Sequence, residues 1–371
     1  MIERGNGKLL MNQMLYTVVD EIKRTVEAEC SLWSPHGRCL ASTTRDMDEV
    51  KADVEKFLQM VDYRDTQVTE KNACFAVRDE RELVFVFAIH HVTENIDIIG
   101  KLCVNQLLAM NRFHEKRVDR NRFFQQLLMD NLLLVDIYNQ AKKLNVENES
   151  KRIVFVVEPK RQKDDIVLET LRGMYSEETN DFVTSVDEGH IVLIKTMEQE
   201  DEYEEVAEIA MAIIDMLGAE VMVDARVAYG TIVNELKDIS KSYKEASIAL
   251  DVGRIFYVEK TVLAYNELGI GRLIHQLPVS LCEMFLKEVF NGNAVEQFDE
   301  ETLTTVNTFF ENNLNISETA RQMYLHRNTL GYRLEKIMKT TGLDVRKFDD
   351  ALTFKIALMV SNHMRFIKTQ E

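Results

Sequence analysis

The residues best suited to chemistry lie in one segment near the C-terminus, 315–342. From 327 to 339, Leu330, Leu334 and Ile337 recur at steps of four and three residues, which predicts a helix with a single apolar stripe. The opposite side of this helix would carry amides, hydroxyls and cations, groups that suit hydrogen bonds to base edges and phosphates. They come from Asn328, Thr329, Tyr332, Lys336 and Lys339, with Arg333 on the flank. An ordinary helical hairpin with a solvated polar face would give the same periodicity.

A shorter helix is predicted immediately before this one. Ser317 is its predicted N-cap, the helix covers 318–324, and the small Ala320 lies on its inner face. A tight break at Leu325 and His326 then separates the two helices. Two helices joined in this way are typical of a helix-turn-helix, in which the N-terminal end of the second helix enters the major groove of DNA.

Position along the second helix predicts the role of each polar residue. Arg327 and Asn328 lie at its N-terminal end, where they would pair with guanine and adenine. Lys336 and Lys339 lie further along and are better placed for backbone phosphates.

The charge of the chain is unevenly distributed. The net charge is −17, which by itself argues against nucleic acid, but the segment 314–340 carries five basic side chains against two acidic ones. One copy with so small a basic island would bind double-stranded DNA weakly. We therefore predict a homodimer or a higher even oligomer on a two-fold operator.

The same segment resembles a known family. His326-Arg327-Asn328-Thr329-Leu330, followed by Tyr332-Arg333-Leu334, matches the HRNTLxYRL signature of the PucR/CdaR regulators. The TGLD at 341–344, the FDD at 348–350 and, less sharply, the SYKEASIAL at 242–250 are similar to other segments of that family. The resemblance implies a bacterial DNA-binding transcriptional regulator that responds to a small-molecule effector such as a sugar diacid and that forms a homo-oligomer. The DNA-binding residues expected on this basis are Ser317, His326, Arg327, Asn328, Thr329, Tyr332, Arg333, Lys336 and Lys339.

Upstream, the pattern over 150–265 predicts the order β-α-β-β-α-β-α, a ferredoxin-like arrangement shared by many nucleotide cyclases. Gly218 and Gly253 are expected to end its two longer helices. The family resemblance makes this a degenerate GGDEF-like domain. Its hairpin turn, Val186-Asp187-Glu188-Gly189-His190, has acids but lacks the paired glycines that would admit a nucleotide. The domain is therefore expected to be catalytically silent.

The first 95 residues predict helix, hairpin, helix and hairpin, which suggests a small sensor fold of the PAS or GAF kind. A long helix is expected from about Asn95, either as a signal lever and dimer seam or as a plain connector. His90 and His91, at a strand end, are candidate contacts for an anionic ligand. Adjacent strand residues face opposite sides, so at most one of them would line a pocket, and a capped strand end is the favoured explanation.

The expected fold class is α+β and multidomain: a PAS/GAF-like sensor, a ferredoxin-type GGDEF-like domain and an all-α helix-turn-helix domain. The corresponding boundaries are 1–110 for the effector-sensing domain, 111–290 for the connector helices and the GGDEF-like domain, and 291–371 for the DNA-binding domain.

Other classes of protein are disfavoured by composition. No apolar run is long enough to span a membrane, and the N-terminus lacks the features of a signal peptide. The five cysteines are odd in number and include no C-x-x-C pair, so neither a disulfide framework nor a metal site is expected, and a cytoplasmic location fits best. No P-loop or dinucleotide-binding motif occurs, and no cofactor is expected.

Two alternatives remain open from the sequence. The chain could be a nucleotide-binding or cyclase-like signalling protein that uses 150–265, or a scaffold whose helix-turn-helix only mediates dimerisation. The missing glycine pair argues against the first, and the basic island argues against the second.

Overall fold

The computed structural model describes residues 3–45, 47–62, 64–90, 94–160, 164–175, 180–187, 189–290 and 298–370. The chain forms two compact units, 1–120 and 121–371, and each is described by itself. The fold is mixed α+β, as predicted. Within the described residues, we find no helix with both the length and the apolar character needed to cross a membrane.

The first unit is built around a five-stranded antiparallel sheet in the order β2-β1-β5-β4-β3. Its elements are α1 (Glu3–Val26), β1 (Cys30–Trp33), β2 (Cys39–Ser42), α2 (Asp48–Met60), β3 (Thr66–Val68), β4 (Asn72–Asp79), β5 (Glu82–His90) and the first part of α3 (Ile96–Leu128). The two predicted hairpins and the long helix from about Asn95 are therefore confirmed. The second hairpin turns at Glu80, which has a left-handed φ of 51°.

Both faces of this sheet are covered by apolar side chains. Leu15, Val19 and Leu107 belong to one cluster with strand residues such as Phe75 and Phe87, and Val54 and Phe57 of α2 pack on the other face. Gly100 lets α3 approach closely, because a Cβ there would lie 2.0 Å from the ring of Phe75. The sheet thus has one apolar core on each of its two faces.

The second unit begins with a ferredoxin-like sheet, as the sequence predicts. Its elements are the end of α3, then α4 (Leu134–Leu144), β6 (Glu149–Pro159), α5 (Asp164–Met174), β7 (Phe182–Asp187), β8 (His190–Thr196), α6 (Tyr203–Val221), β9 (Ala225–Tyr229), β10 (Val233–Glu235), α7 (Ile239–Phe256) and β11 (Val262–Ala264). The strand order is β11-β9-β6-β8-β7, with β10 also paired to β6. Among the described strands of this sheet, the pairing of β11 with β9 is parallel and all other pairings are antiparallel.

Two expected helix ends are wrong. The helix α6 continues past Gly218 to Val221 and ends where Met222 adopts a left-handed φ of 53°, because buried Val223 returns the chain to the sheet. Gly253 lies inside α7, which runs on to Phe256. Its missing side chain serves packing, since a Cβ there would lie 2.3 Å from Leu263 of β11.

Helices complete the second unit. They are α8 (Ile270–His275), α9 (Val279–Val289), α10 (Glu300–Glu311), α11 (Ile316–Gln322), α12 (Arg327–Thr341) and α13 (Phe348–Gln370). The first half of α13 packs in the core formed by α10, α11 and α12, where Phe354 is fully buried. Its second half packs on α8 and α9 through Val360 and Met364. One helix therefore contributes to both clusters.

Candidate nucleic-acid interface

The helix α12 is held by the apolar stripe that the sequence predicts. Leu330, Leu334 and Ile337 are at most 1% exposed and pack with Val306 and Phe309 of α10. The helix ends at Gly342, whose φ of 80° is easily adopted only by a residue without a side chain. The three buried residues fix which side of α12 faces away from the core.

The N-cap of α11 is Asn315 and not Ser317. The Asn315 Oδ1 accepts a hydrogen bond of 3.1 Å from the Glu318 N–H, while Ser317 is exposed in the first turn. Ser317 was a reasonable candidate because both side chains can cap. Ile316, which packs against the helical core, begins the helix earlier than expected.

The turn between α11 and α12 exposes a tyrosine that the sequence pattern places inside the first helix. That helix ends at Gln322, and Tyr324 has a φ of 54° with 97% of its surface exposed. The Leu325 N–H bonds to the Ala320 carbonyl at 2.8 Å and closes the turn. The sequence pattern could not predict the conformation of Tyr324, because a left-handed φ is uncommon for an aromatic residue.

The N-terminal half of α12 presents an open polar surface. Arg327, Asn328, Thr329 and Tyr332 are all exposed. The structure shows no side-chain hydrogen bond or ion pair for these four among the residues it describes. His326 caps the helix through its Nδ1, which accepts from the Asn328 N–H at 3.3 Å. These side chains are therefore available to an external partner.

The next turn of α12 is engaged by α10. Arg333 donates to the Thr305 hydroxyl at 2.9 Å and to the Glu301 carboxylate at 2.6 Å, and its side chain is only 19% exposed. The Lys336 Nζ lies 2.5 Å from the Asp299 Oδ2. The sequence pattern places Arg333 on the flank and Lys336 on the outward side. Both in fact reach the N-terminus of α10.

Asp299 has two roles at once. It caps α10 by accepting from the Thr302 N–H at 2.7 Å, and it pairs with Lys336. Hydrogen bonds from Lys336 and Thr302 hold the pKa of the Asp299 carboxyl well below its usual range. The acids at the start of α10 thus neutralise part of the basic island.

The other cations of the island have acidic partners within their own helices. Arg321 lies 2.6 Å from Glu318, and Lys339 lies 3.0 Å from Glu335. Exposed pairs of this kind are weak and easily exchanged for other anions. Within the described residues, Arg327 is the one cation of the island for which the structure shows no ion pair.

The predicted ligand contact at His90 is buried in the first unit. Its Nδ1 lies 2.9 Å from the Asn72 Oδ1, and its Nε2 lies 3.2 Å from the Ser31 hydroxyl. A ligand at this ring would have to displace one of those partners. His91 lies outside the described residues.

The hairpin of the ferredoxin-like sheet is tied by an arginine. The Arg254 guanidinium donates hydrogen bonds to the Glu158 carboxylate and, at 2.9 Å, to the Asp251 carboxylate. It also lies 3.0 Å from the ring of His190. The other ring nitrogen of His190 lies 2.7 Å from the Asp187 carboxylate. Glu188 of the turn lies outside the described residues. The positively charged Arg254 guanidinium therefore lies among these carboxylates. No cluster of three or more metal-binding side chains occurs in the described part of the chain.

Two segments match family models. Residues 302–360 match the PucR C-terminal helix-turn-helix domain, and residues 131–252 match the GGDEF-like domain. The chain is a relative of the PucR and CdaR regulators. The resemblance drawn from the HRNTL segment is confirmed, as are the helix-turn-helix and the GGDEF-like domain.

Three of the curated proteins that are similar to this chain are named as regulators. It is similar to the purine catabolism regulatory protein of Bacillus subtilis, with 30% identity over 36% of this chain and 25% of that protein. It is similar to the DNA-binding transcriptional activator AdeR of B. subtilis, with 22% identity over 72% of this chain and 66% of that one. The carbohydrate diacid regulator of Escherichia coli is 23% identical over 95% of this chain and 98% of its own length. These relatives do not favour the cyclase-like alternative.

Proposed function

We propose that this protein is an effector-responsive transcriptional regulator that reads double-stranded DNA with the N-terminal half of α12. The observation that carries the proposal is the set of exposed side chains at Arg327, Asn328, Thr329 and Tyr332, within a PucR-type helix-turn-helix. A guanidinium and an amide at the start of such a helix suit bidentate contacts to guanine and adenine.

Phosphate contacts are assigned to the surrounding groups. Ser317 and His326 flank the turn, and Lys339 is exposed at the other end of α12. Arg333 and Lys336 would join them only by exchanging the carboxylates of α10 for phosphates. Such an exchange is feasible because Glu301 and Asp299 are themselves accessible to solvent.

The domain limits proposed for this activity are those expected from the sequence. Residues 291–371 would bind DNA, 111–290 would hold the connector helices and a silent GGDEF-like domain, and 1–110 would sense the effector. A five-stranded sheet with helices on it supports a sensor of the PAS or GAF kind for the first part. The proposed assembly is a homodimer or a higher even oligomer.

The proposed effector is a small organic acid, with sugar diacids as the first class to test. The support is the likeness to the carbohydrate diacid regulator along nearly the whole chain. A thermal-shift screen of the full chain against organic diacids tests this, since a ligand that binds only the folded state raises the unfolding temperature. If no diacid raises the unfolding midpoint above that of the ligand-free chain, this effector class is excluded.

The DNA-binding proposal is tested by the salt dependence of binding. A duplex is first selected by the wild-type chain from a random-sequence pool. We expect Lys339→Ala to weaken binding equally on selected and unrelated duplexes and to lower the slope of log affinity against log salt by about one.

The matched control is Lys287→Ala, an exposed lysine of α9. It should leave both affinity and slope unchanged. A wild-type chain that selects no sequence and binds no duplex at low salt would contradict the proposed function.

A further inference from the structure

The turn between α11 and α12 carries a tyrosine whose side chain the fold does not use. Tyr324 is 97% exposed, and its φ of 54° lies in the left-handed region, where an aromatic residue is strained. Among the residues that the structure describes, no side-chain hydrogen bond or ring contact involves it. A glycine or an asparagine would make the same turn with less strain. Packing of the domain therefore does not account for a tyrosine at this position.

An exposed cation lies three residues before this tyrosine. The Arg321 side chain, in the last turn of α11, is 78% exposed and pairs with Glu318 of the same helix at 2.6 Å. The Tyr324 N–H bonds to the Arg321 carbonyl at 3.2 Å, which fixes the backbone between the two residues. An exposed ion pair of this kind is easily exchanged, so the guanidinium is available to a phosphate. We call Arg321 and Tyr324 the turn pair.

The position of the turn pair points to the DNA backbone. In a helix-turn-helix, the N-terminal end of the second helix enters the major groove while the first helix crosses the sugar-phosphate backbone. The turn pair lies where the two helices meet, and Tyr324 comes three residues before Arg327, the first residue of α12. A guanidinium and a phenol hydroxyl both donate hydrogen bonds, which suits phosphate oxygens.

We propose that the turn pair binds one phosphate of the DNA backbone, at the edge of the groove that α12 enters. The Arg321 guanidinium and the Tyr324 hydroxyl each donate to a non-bridging oxygen of that phosphate, and the tyrosine ring lies against the neighbouring deoxyribose. Neither residue belongs to the set expected from the sequence. The inference rests on the proposed DNA binding and adds to it a contact outside α12.

The two residues differ in charge, so each has its own signature in a salt titration of the full chain. Arg321→Ala removes a cation that displaces counterions. It should weaken binding equally on selected and unrelated duplexes and lower the slope of log affinity against log salt by about 0.9. Tyr324→Phe removes only a neutral hydroxyl. It should weaken binding to both duplexes about three- to tenfold and leave the slope unchanged.

A shared phosphate also predicts that the two losses are not independent. Once one donor is gone, the phosphate is held less firmly and the other donor contributes less. The double variant Arg321→Ala/Tyr324→Phe should therefore lose less affinity than the product of the two single losses. Losses that multiply would mean that the residues contact separate groups, and they would overturn the shared site.

Backbone strain separates a DNA contact from a structural role. Tyr324→Gly relieves the left-handed conformation, so its unfolding temperature should be at or above that of wild type although DNA binding weakens. The matched control is Met222→Gly at the end of α6, because Met222 has a φ of 53° and is 85% exposed. It should relieve similar strain and leave DNA binding unchanged.

The charge change has a matched control as well. Arg24 of α1 is also 78% exposed, and it pairs with Asp20 of its own helix at 2.7 Å. Arg24→Ala should therefore leave both the affinity and the salt slope as in wild type.

Each contrary outcome has a distinct meaning. Suppose that Arg321→Ala and Tyr324→Phe bind as wild type while Lys339→Ala shows its lowered slope. The turn pair would then not touch DNA, and the proposed function would stand. A Tyr324→Phe variant that loses preference at a single base pair would also overturn the inference, because the hydroxyl would then contact a base. A wild-type chain that binds no duplex would contradict the proposed function itself.

Discussion

At the scale of single residues, Asp299 links the start of α10 to α12. Its carboxylate caps one helix and pairs with a lysine of the other. Asn is as good an N-cap as Asp, so Asp299→Asn keeps the cap and removes the ion pair alone. The contribution of the pair can therefore be separated from that of the cap.

The pairing predicts a defined pH dependence. The pKa of Asp299 is lowered in the folded chain from its ordinary value of 3.8, mainly by the hydrogen bond from Lys336. A carboxyl group whose pKa is lower in the folded than in the unfolded chain stabilises the fold. Its contribution is complete at pH values above the pKa of the unfolded chain, and it is lost as the pH falls through the pKa of the folded chain. The unfolding temperature of Asp299→Asn should thus lie below wild type by a constant amount between about pH 5 and pH 8, and the gap should close only in stronger acid. Thermal denaturation followed by circular dichroism measures this. A gap that closes near neutral pH would contradict it.

At the scale of elements, the proposed function has α10 compete with DNA for the cations of α12. Arg333 is held by Glu301, an acid that is 77% exposed and caps nothing. We expect Glu301→Gln to free Arg333 for phosphates, which strengthens binding to unrelated duplexes and raises the salt slope by up to about 0.9. Filter binding at four salt concentrations measures it. Glu300→Gln serves as a control, because Glu300 is exposed on the same turn. An unchanged slope would mean that Arg333 never reaches DNA.

Two glycines of the ferredoxin-like domain predict opposite effects on stability. Gly218 lies exposed inside α6, and no atom lies within 4 Å of the position that a Cβ would occupy, so Gly218→Ala should stabilise the fold by about 0.5–1 kcal/mol. At Gly230 a Cβ would lie 2.0 Å from the Ser242 backbone oxygen. Gly230→Ala should therefore destabilise the fold by about 2–4 kcal/mol. Urea denaturation distinguishes the two, and a loss of stability in Gly218→Ala would mean that α6 ends there after all.

Local patterns in the sequence predicted the elements better than their contacts. The stripe of Leu330, Leu334 and Ile337 identified α12 because burial follows the helical period. The partners of Arg333 and Lys336 could not be predicted in this way, since α10 lies some thirty residues earlier and only tertiary packing brings it near. The short strands β3, β10 and β11 were missed because three residues are too few to show an alternating pattern.

At the scale of the whole molecule, a chain of net charge −17 must approach a polyanion. The basic island gives each copy little attraction, and part of it is already neutralised by α10. Two copies on one operator double the number of phosphate contacts, so affinity should depend steeply on salt. The proposed self-association would make that possible.

The central claim is that α12 reads base identity, and Asn328→Ala tests it most directly. Gel-shift titrations would compare the duplex selected by the wild-type chain with the same duplex changed at single base pairs. We predict that Asn328→Ala loses about 1–3 kcal/mol of discrimination at one base pair and keeps its affinity for unrelated duplexes. Asn307→Ala, which changes an exposed asparagine of α10, should behave as wild type. Full base preference retained in Asn328→Ala would contradict the claim.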